Sequence, residues 1–141
     1  MQHSVIFSTT FMKKNEVTKM PVFSILIAED DSSNYLLFEI LLKQDYWLYH
    51  AHNGIEAIEL FKQHQPQLIL MDIKMPQMDG FEATAQIRKL SKTIPIIAIT
   101  AYAFPEDQER ILNSGFNGYL SKPINSMELR RTIQDTLQIN Y

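Results

Sequence analysis

The 141-residue chain contains no cysteine, which excludes a disulfide framework, thiolate metal sites and thiol nucleophiles. Basic charge is not in excess either. Thirteen lysines and arginines stand against 16 aspartates and glutamates, for a net charge of −3. A duplex DNA binder carries a basic footprint, so nucleic-acid binding through this chain is not expected. No apolar run approaches the ~18 residues that cross a membrane. The short patch Val5-Ile6-Phe7 has neither the charged region nor the small-residue cleavage site of a signal peptide. These absences predict a soluble, cytoplasmic protein with no direct membrane contact. Glycine is scarce: Gly54, Gly80, Gly115 and Gly118 are scattered over turns and helix ends. The glycine-rich phosphate loop of a nucleotide-binding enzyme is therefore missing. His50, His52 and His64 show no metal-ligand spacing.

What is present is ordinary for a globular domain: 45% hydrophobic and 21% charged residues, in a length that suits one core. The stretch that organises it is Leu68-Ile69-Leu70-Met71-Asp72-Ile73-Lys74-Met75-Pro76-Gln77-Met78-Asp79-Gly80. A short unbroken apolar run bounded by turn signals reads as a strand buried on both faces, as in a parallel sheet. Such sheets bind ligands beyond the carboxyl ends of their strands. Asp72 falls at that end. Asp also starts turns for purely local reasons, so the rest of the chain must decide its role.

Residues 1–20 show no sustained periodicity and read as an N-terminal tail or linker; residues 21–141 read as one domain. From Val22 the pattern is regular. Strands are predicted over Val22–Ala28, Trp47–His52, Leu68–Asp72, Pro95–Thr100 and Gly118–Leu120. Helices are predicted from the Ser32-Ser33 cap to about Lys43, and over Ile55–His64, Gly80–Leu90 and about Pro105–Asn113. A last helix is capped by Ser126 and carries Leu129, Ile133 and Leu137 on one face. Five strands alternating with five helices make an α/β fold, a parallel sheet covered on both faces.

In a parallel sheet the strand ends emerge on one edge. The first strand brings Glu29 and Asp30 there, with Asp31 beside them; the third brings Asp72, the fourth Thr100 and the fifth Lys122. Carboxylates held close have raised pKa values unless a cation neutralises them. All-oxygen ligation suits Mg²⁺, which keeps several waters and bridges to phosphate. A lysine and a hydroxyl facing the cluster suit phosphate oxygens. Asp72 could then attack a phosphoryl donor and form an acyl phosphate, a reaction that needs mainly positioning and charge neutralisation. Singly, each residue has a bland reading as a helix cap, a strand end or a solvated side chain. Their joint occurrence at four strand ends is the informative feature.

With these residues in hand, the chain resembles the receiver domains of two-component response regulators over about Val22 to Gln138. The likeness rests on Ile25-Leu26-Ile27-Ala28-Glu29-Asp30, on Leu70 to Gly80, on Ile97-Ala98-Ile99-Thr100-Ala101 and on Gly118-Tyr119-Leu120-Ser121-Lys122-Pro123. The resemblance implies a doubly wound, flavodoxin-like sheet of strand order 2-1-3-4-5. It implies Asp72 as phosphoacceptor, with Mg²⁺ held by Glu29, Asp30, Asp72 and the backbone carbonyl of Lys74. It implies Thr100 and Tyr119 as switch residues, Lys122 as the phosphate-pairing lysine, and a cis peptide between Lys122 and Pro123. The donor would be a histidine kinase or a histidine phosphotransfer domain, with a downstream effector that is not specified. Lys74 and Tyr102, two residues after Asp72 and Thr100, would border the path of an attacking water. Asn34 and the Gly-Tyr-Leu-Ser-Lys-Pro-Ile segment resemble the hybrid histidine kinase branch.

Other readings fit less well. A haloacid-dehalogenase-type phosphatase needs a second Asp two residues after the nucleophile, where this chain has Lys74, and it usually adds a cap domain. A flavodoxin-like FMN binder would not place an acidic cleft against phosphate. A phosphorylation-independent interaction module of the same fold remains the alternative.

Overall fold

A computed structural model describes residues 23–101 and 104–138. The tail reading for residues 1–20 and the role assigned to Tyr102 lie outside the described residues. The elements follow one another as β1 (Ser24–Ala28), α1 (Ser32–Leu42), β2 (Trp47–Ala51), α2 (Gly54–His64), β3 (Leu68–Asp72), α3 (Gly80–Leu90), β4 (Ile96–Thr100), α4 (Pro105–Leu112), β5 (Gly118–Ser121) and α5 (Ser126–Leu137). All strand pairs are parallel, in the order β2-β1-β3-β4-β5. The predicted fold class and strand order are those observed.

The pleat explains why the inner strands are continuous apolar runs. Alternate residues point to opposite faces, and both faces are covered. Leu26, Ala28, Ile69, Met71, Ile96 and Ala98 face Ala57 and Phe61 of α2, Ala83 and Ile87 of α3, and Ile111 of α4. Their neighbours Ile25, Ile27, Leu68, Leu70, Ile97 and Ile99 face Phe38 and Leu42 of α1 and Leu129 and Ile133 of α5. β3 and β4 are buried at every position, whereas the edge strands β2 and β5 are mostly half-buried.

Two predicted caps are displaced by one residue. Asp31, not Ser32 or Ser33, caps α1, its Oδ1 accepting from the Asn34 amide at 2.9 Å. Asn125, not Ser126, caps α5, accepting from the Glu128 amide at 2.9 Å. Asp and Asn cap at least as well as Ser, and in each case the capping residue has the extended backbone that position requires. α2 likewise starts at Gly54, capped by Asn53, and it ends at Gln65 with φ 47°, ahead of Pro66.

The sheet order reverses between β1 and β3, since the chain leaves β1 for one edge and returns on its other side. Such a switch point opens a crevice at the carboxyl ends of the strands. Here β1 delivers Glu29 and Asp30, and β3 delivers Asp72.

Candidate functional site

Asp72 ends β3 almost wholly buried, and Glu29, just past β1, is buried as well. Lys122, just past β5, reaches across the intervening strand end. Its Nζ donates to Asp72 Oδ2 at 2.6 Å and stands 3.5 Å from Glu29 Oε1. The other Asp72 oxygen, Oδ1, accepts from the Lys74 amide at 3.0 Å, so the loop after β3 helps to hold its own carboxylate. Glu29 Oε2 accepts from the Asp31 amide at 3.1 Å. The peptide between Lys122 and Pro123 is cis, as the resemblance implied.

The electrostatics are those of acids crowded out of water. Burial, reinforced by the hydrogen bond and charge of Asp72, pushes Glu29 up to about 7. Burial pulls the Lys122 ammonium down, but the hydrogen bond to Asp72 and the charges of Asp72 and Glu29 outweigh it and hold its pKa above the usual value. One lysine thus serves two carboxylates. Glu29 Oε1 is buried and, among the described residues, accepts no hydrogen bond, the Lys122 ammonium standing 3.5 Å away as an ion-pair partner only. A buried acceptor left without a donor is rare and calls for an explanation.

Oxygens of Glu29, Asp30 and Asp72 lie within 4.8 Å of one another. Asp30 is exposed while the other two are buried, so the set opens to solvent on one side only. Three carboxylate oxygens with access for water are the donor set of a hard divalent cation such as Mg²⁺, which retains part of its hydration. The Glu29 oxygen that lacks a hydrogen bond fits such an ion.

Thr100 ends β4, buried, and lines the same cleft of about 730 Å³ as Asp30, Lys74, Met75 and Pro76, with Asp107 and Arg110 of α4 on its far side. Tyr119 lies half-buried on β5, opposite Ala98 and packed against the α2–α3–α4 core. The expected residues Glu29, Asp30, Asp72, Lys74, Thr100 and Lys122 therefore converge, and Tyr119 stands one strand away.

Three contributors were not anticipated. Gly80 donates its amide to the Ile73 carbonyl at 2.9 Å, and a Cβ on it would lie 2.3 Å from the Asp72 carbonyl oxygen. Only glycine allows that approach. Gln77 adopts φ 70° and is straddled by a 2.7 Å bond from the Met78 amide to the Pro76 carbonyl, which folds the loop after β3 tightly. His50 of β2 donates Nε2–H to the Glu29 carbonyl at 2.8 Å and stacks on Tyr35 at 3.6 Å. Burial lowers the His50 pKa, consistent with a neutral ring. Only the Pro and Gly of the loop left any trace in the sequence; the other contacts are tertiary.

Comparison with known proteins agrees with this geometry. The model of the response regulator receiver domain family matches residues 25–134. The polar-differentiation response regulator DivK of Brucella anthropi is 39% identical over 117 residues, covering 81% of this chain and 95% of its own. The receiver domain of the sensor histidine kinase PA1611 from Pseudomonas aeruginosa PAO1, solved with a magnesium ion in its active-site cleft, superposes with a TM-score of 0.78. It is 35% identical, over 84% of this chain and 99% of that one. The receiver domain of a Saccharomyces cerevisiae response regulator, crystallised with a histidine phosphotransfer protein, gives a TM-score of 0.77 at 31% identity, covering 84% and 90%. With the family model spanning most of its length and the strand order and cis Lys-Pro peptide in place, this chain belongs to the response regulator receiver domains of two-component signalling.

Proposed function

We propose that this receiver domain is a phosphoacceptor switch that takes a phosphoryl group on Asp72 from the phosphohistidine of a histidine kinase or histidine phosphotransfer domain. A carboxylate oxygen of Asp72 attacks phosphorus, the P–N bond breaks, and the electron pair leaves with the imidazole. The product is an acyl phosphate. Lys122 neutralises charge on the phosphoryl oxygens, and the Lys74 amide holds the carboxylate in place. Glu29, Asp30, Asp72 and the Lys74 carbonyl would hold Mg²⁺, which when bound screens the charge that gathers between carboxylate and phosphate. The observation that carries this reading is the ion pair of Lys122 with the buried Asp72, beside a buried Glu29 oxygen that makes no hydrogen bond among the described residues.

The switch follows from the added charge. Thr100 would turn its hydroxyl to the phosphoryl group, and Tyr119 would move inward into the space released. The change would be read on the face of α4, β5 and α5, where Phe104, Leu112 and Met127 are exposed. A local charge event thereby biases a two-state surface. Lys74 and Tyr102 would slow hydrolysis by shielding the path of water. The domain would serve either as a free-standing regulator or as the receiver of a hybrid histidine kinase. The phosphatase reading is disfavoured by Lys74 in place of an acid/base aspartate.

The test is intact-mass measurement after incubation with acetyl phosphate, with and without Mg²⁺, for the wild type and Asp72→Asn. One Mg²⁺-dependent phosphoryl adduct, absent from the variant, is expected. A folded wild type that gains no adduct from acetyl phosphate or from a phosphohistidine donor would leave the interaction-module reading in its place.

A further inference from the structure

The Glu29 carbonyl lies where the pairing of β1 with β2 runs out. Glu29 stands one residue beyond β1, and its amide donates to the Ala51 carbonyl at 2.9 Å. Ala51 ends β2, and the next amide, that of His52, donates instead to the Glu56 carboxylate at 2.8 Å. The Glu29 carbonyl is met by a side chain: His50 Nε2–H donates to it at 2.8 Å. A carbonyl only accepts, so Nε2 carries the ring proton.

That bond constrains two acids at once. The Glu29 carbonyl and the Asp30 amide belong to one rigid peptide plane. Holding the carbonyl therefore restrains ψ of Glu29 and φ of Asp30, and with them the directions in which both side chains leave the backbone. Glu29 turns inward and Asp30 outward, yet an oxygen of each lies within 4.8 Å of Asp72. A tilt of the plane between them would pull the set apart. The donor is itself clamped. Its ring stacks on Tyr35 of α1, centroids 3.6 Å apart and planes within 4°. It also lies 4.0 Å from the His52 ring, whose Nδ1 pairs with Glu56 at 2.9 Å. A ring locked in this way orients what it bonds, as the outer partners of a metal site do.

We propose that His50 is a positioning residue for the cation site: through the Glu29 carbonyl it holds the Glu29–Asp30 peptide so that both carboxylates converge on Asp72. His50 ligates nothing itself. This role rests on the reading of the three acids as Mg²⁺ ligands given above.

Two variants separate the ring from the donor. His50→Phe keeps an aromatic ring against Tyr35 and removes the N–H, whereas His50→Gln removes the ring and keeps an N–H at similar reach. Mg²⁺ is titrated into the full ¹⁵N-labelled chain, above the pH range in which Glu29 holds a proton. Amide shifts of Asp30, Asp72 and Lys74 report binding, and a urea midpoint in chelator reports stability. His50→Phe should weaken Mg²⁺ binding about tenfold, the lower end for an outer partner of a metal site. His50→Gln should recover part of that loss, with the donor present but unstacked. In chelator, the imidazole ¹⁵N shifts of the wild type should show the proton on Nε2. Equal Mg²⁺ affinity in the wild type and His50→Phe, even with a lower urea midpoint, would leave His50 a structural role only and overturn the proposal. So would a His50→Gln that binds no better than His50→Phe, or a proton on Nδ1. A wild type with no saturable shifts would instead remove the Mg²⁺ reading, and this role with it.

Discussion

Lys122 Nζ and Asp72 Oδ2 stand 2.6 Å apart although 50 residues separate them, and this bond ties the last strand to the centre of the sheet. Truncating the lysine leaves a buried carboxylate without its cation. Lys122→Met should therefore destabilise the apo protein, by less than the ~3–5 kcal/mol of a fully buried pair, because the lysine is 27% exposed. Asp72→Asn removes the charge that needs a partner, so the lysine should matter much less in that background. A urea-denaturation cycle in chelator should return a coupling of about 1–3 kcal/mol. Additive losses would show that the pair contributes nothing to stability.

The pKa of Glu29 makes a signed prediction about pH. Its carboxyl titrates near 7 in the folded chain against an ordinary value of 4.5, so between those values the folded state holds more protons than the unfolded. Stability must then fall as pH rises through that window. Other carboxylates contribute in the opposite sense, so the readout is a difference. In chelator, wild-type stability relative to Glu29→Gln should decline from pH 4.5 to 7 and level off above it. Mg²⁺ affinity should tighten over the same interval, because the ion competes with that proton. A flat difference curve would remove Glu29 as the titrating group.

Much of this fold can be read from the chain because the inner strands are buried on both faces. Leu68–Asp72 and Ile96–Thr100 can be little else than central parallel strands, and their order puts Asp72 and Thr100 on one edge. Contacts that depend on distant partners cannot be read this way. Ser32 and Asp31 are both good caps, and only the backbone angle of Asp31, in the extended region, decides between them. Nothing local shows that Gly80 lies under the Asp72 carbonyl, or that Gln77 adopts a positive φ without being glycine. Arg88 is the clearest case, since it looks like an ordinary last-turn cation.

Arg88 in fact joins three segments. Its Nε donates to the Gly115 carbonyl at 2.9 Å, Nη1 to the carbonyls of Ile94 at 2.7 Å and Ser91 at 3.2 Å, and Nη2 to Asn117 Oδ1 at 2.9 Å. Asn117 Oδ1 also accepts from the Ile96 amide at 2.8 Å, aligning β5 with β4. Arg88→Ala strands two partly buried acceptors, the carbonyls of Ser91 and Ile94, and about 1–3 kcal/mol of stability should be lost. Arg88→Lys should recover little, because a point charge cannot replace a planar fork of donors. A full recovery by lysine would mean that charge alone is used.

Thr84 predicts a gain. Its side chain is wholly buried in α3, and its hydroxyl has no hydrogen-bond partner among the described residues. Thr84→Val keeps the shape and removes the unsatisfied group, so stability should rise by about 1 kcal/mol. A loss of that size in thermal or urea unfolding would reveal a donor or acceptor for the hydroxyl, such as a buried water.

The four glycines separate backbone approach from mere absence of a side chain. At Gly118 an added Cβ would meet only Ile97 Cδ1, at an ordinary 3.5 Å, whereas at Gly80 it would meet the Asp72 carbonyl oxygen at 2.3 Å and Ile73 Cα at 3.0 Å. Neither obstacle at Gly80 is a flexible side-chain tip, so α3 and the end of β3 must move apart. That displacement strains a packed core, by about 1–3 kcal/mol or more. It also moves the Asp72–Lys74 backbone whose amide holds Asp72 Oδ1. Gly80→Ala should therefore lower both the urea midpoint and the Mg²⁺ affinity, while Gly118→Ala should change neither much, and should stabilise slightly through the unfolded chain. If Gly80→Ala unfolds normally but binds Mg²⁺ unchanged, the loop after β3 does not position the cluster. The orientation of Asp72 would then rest on Lys122 alone.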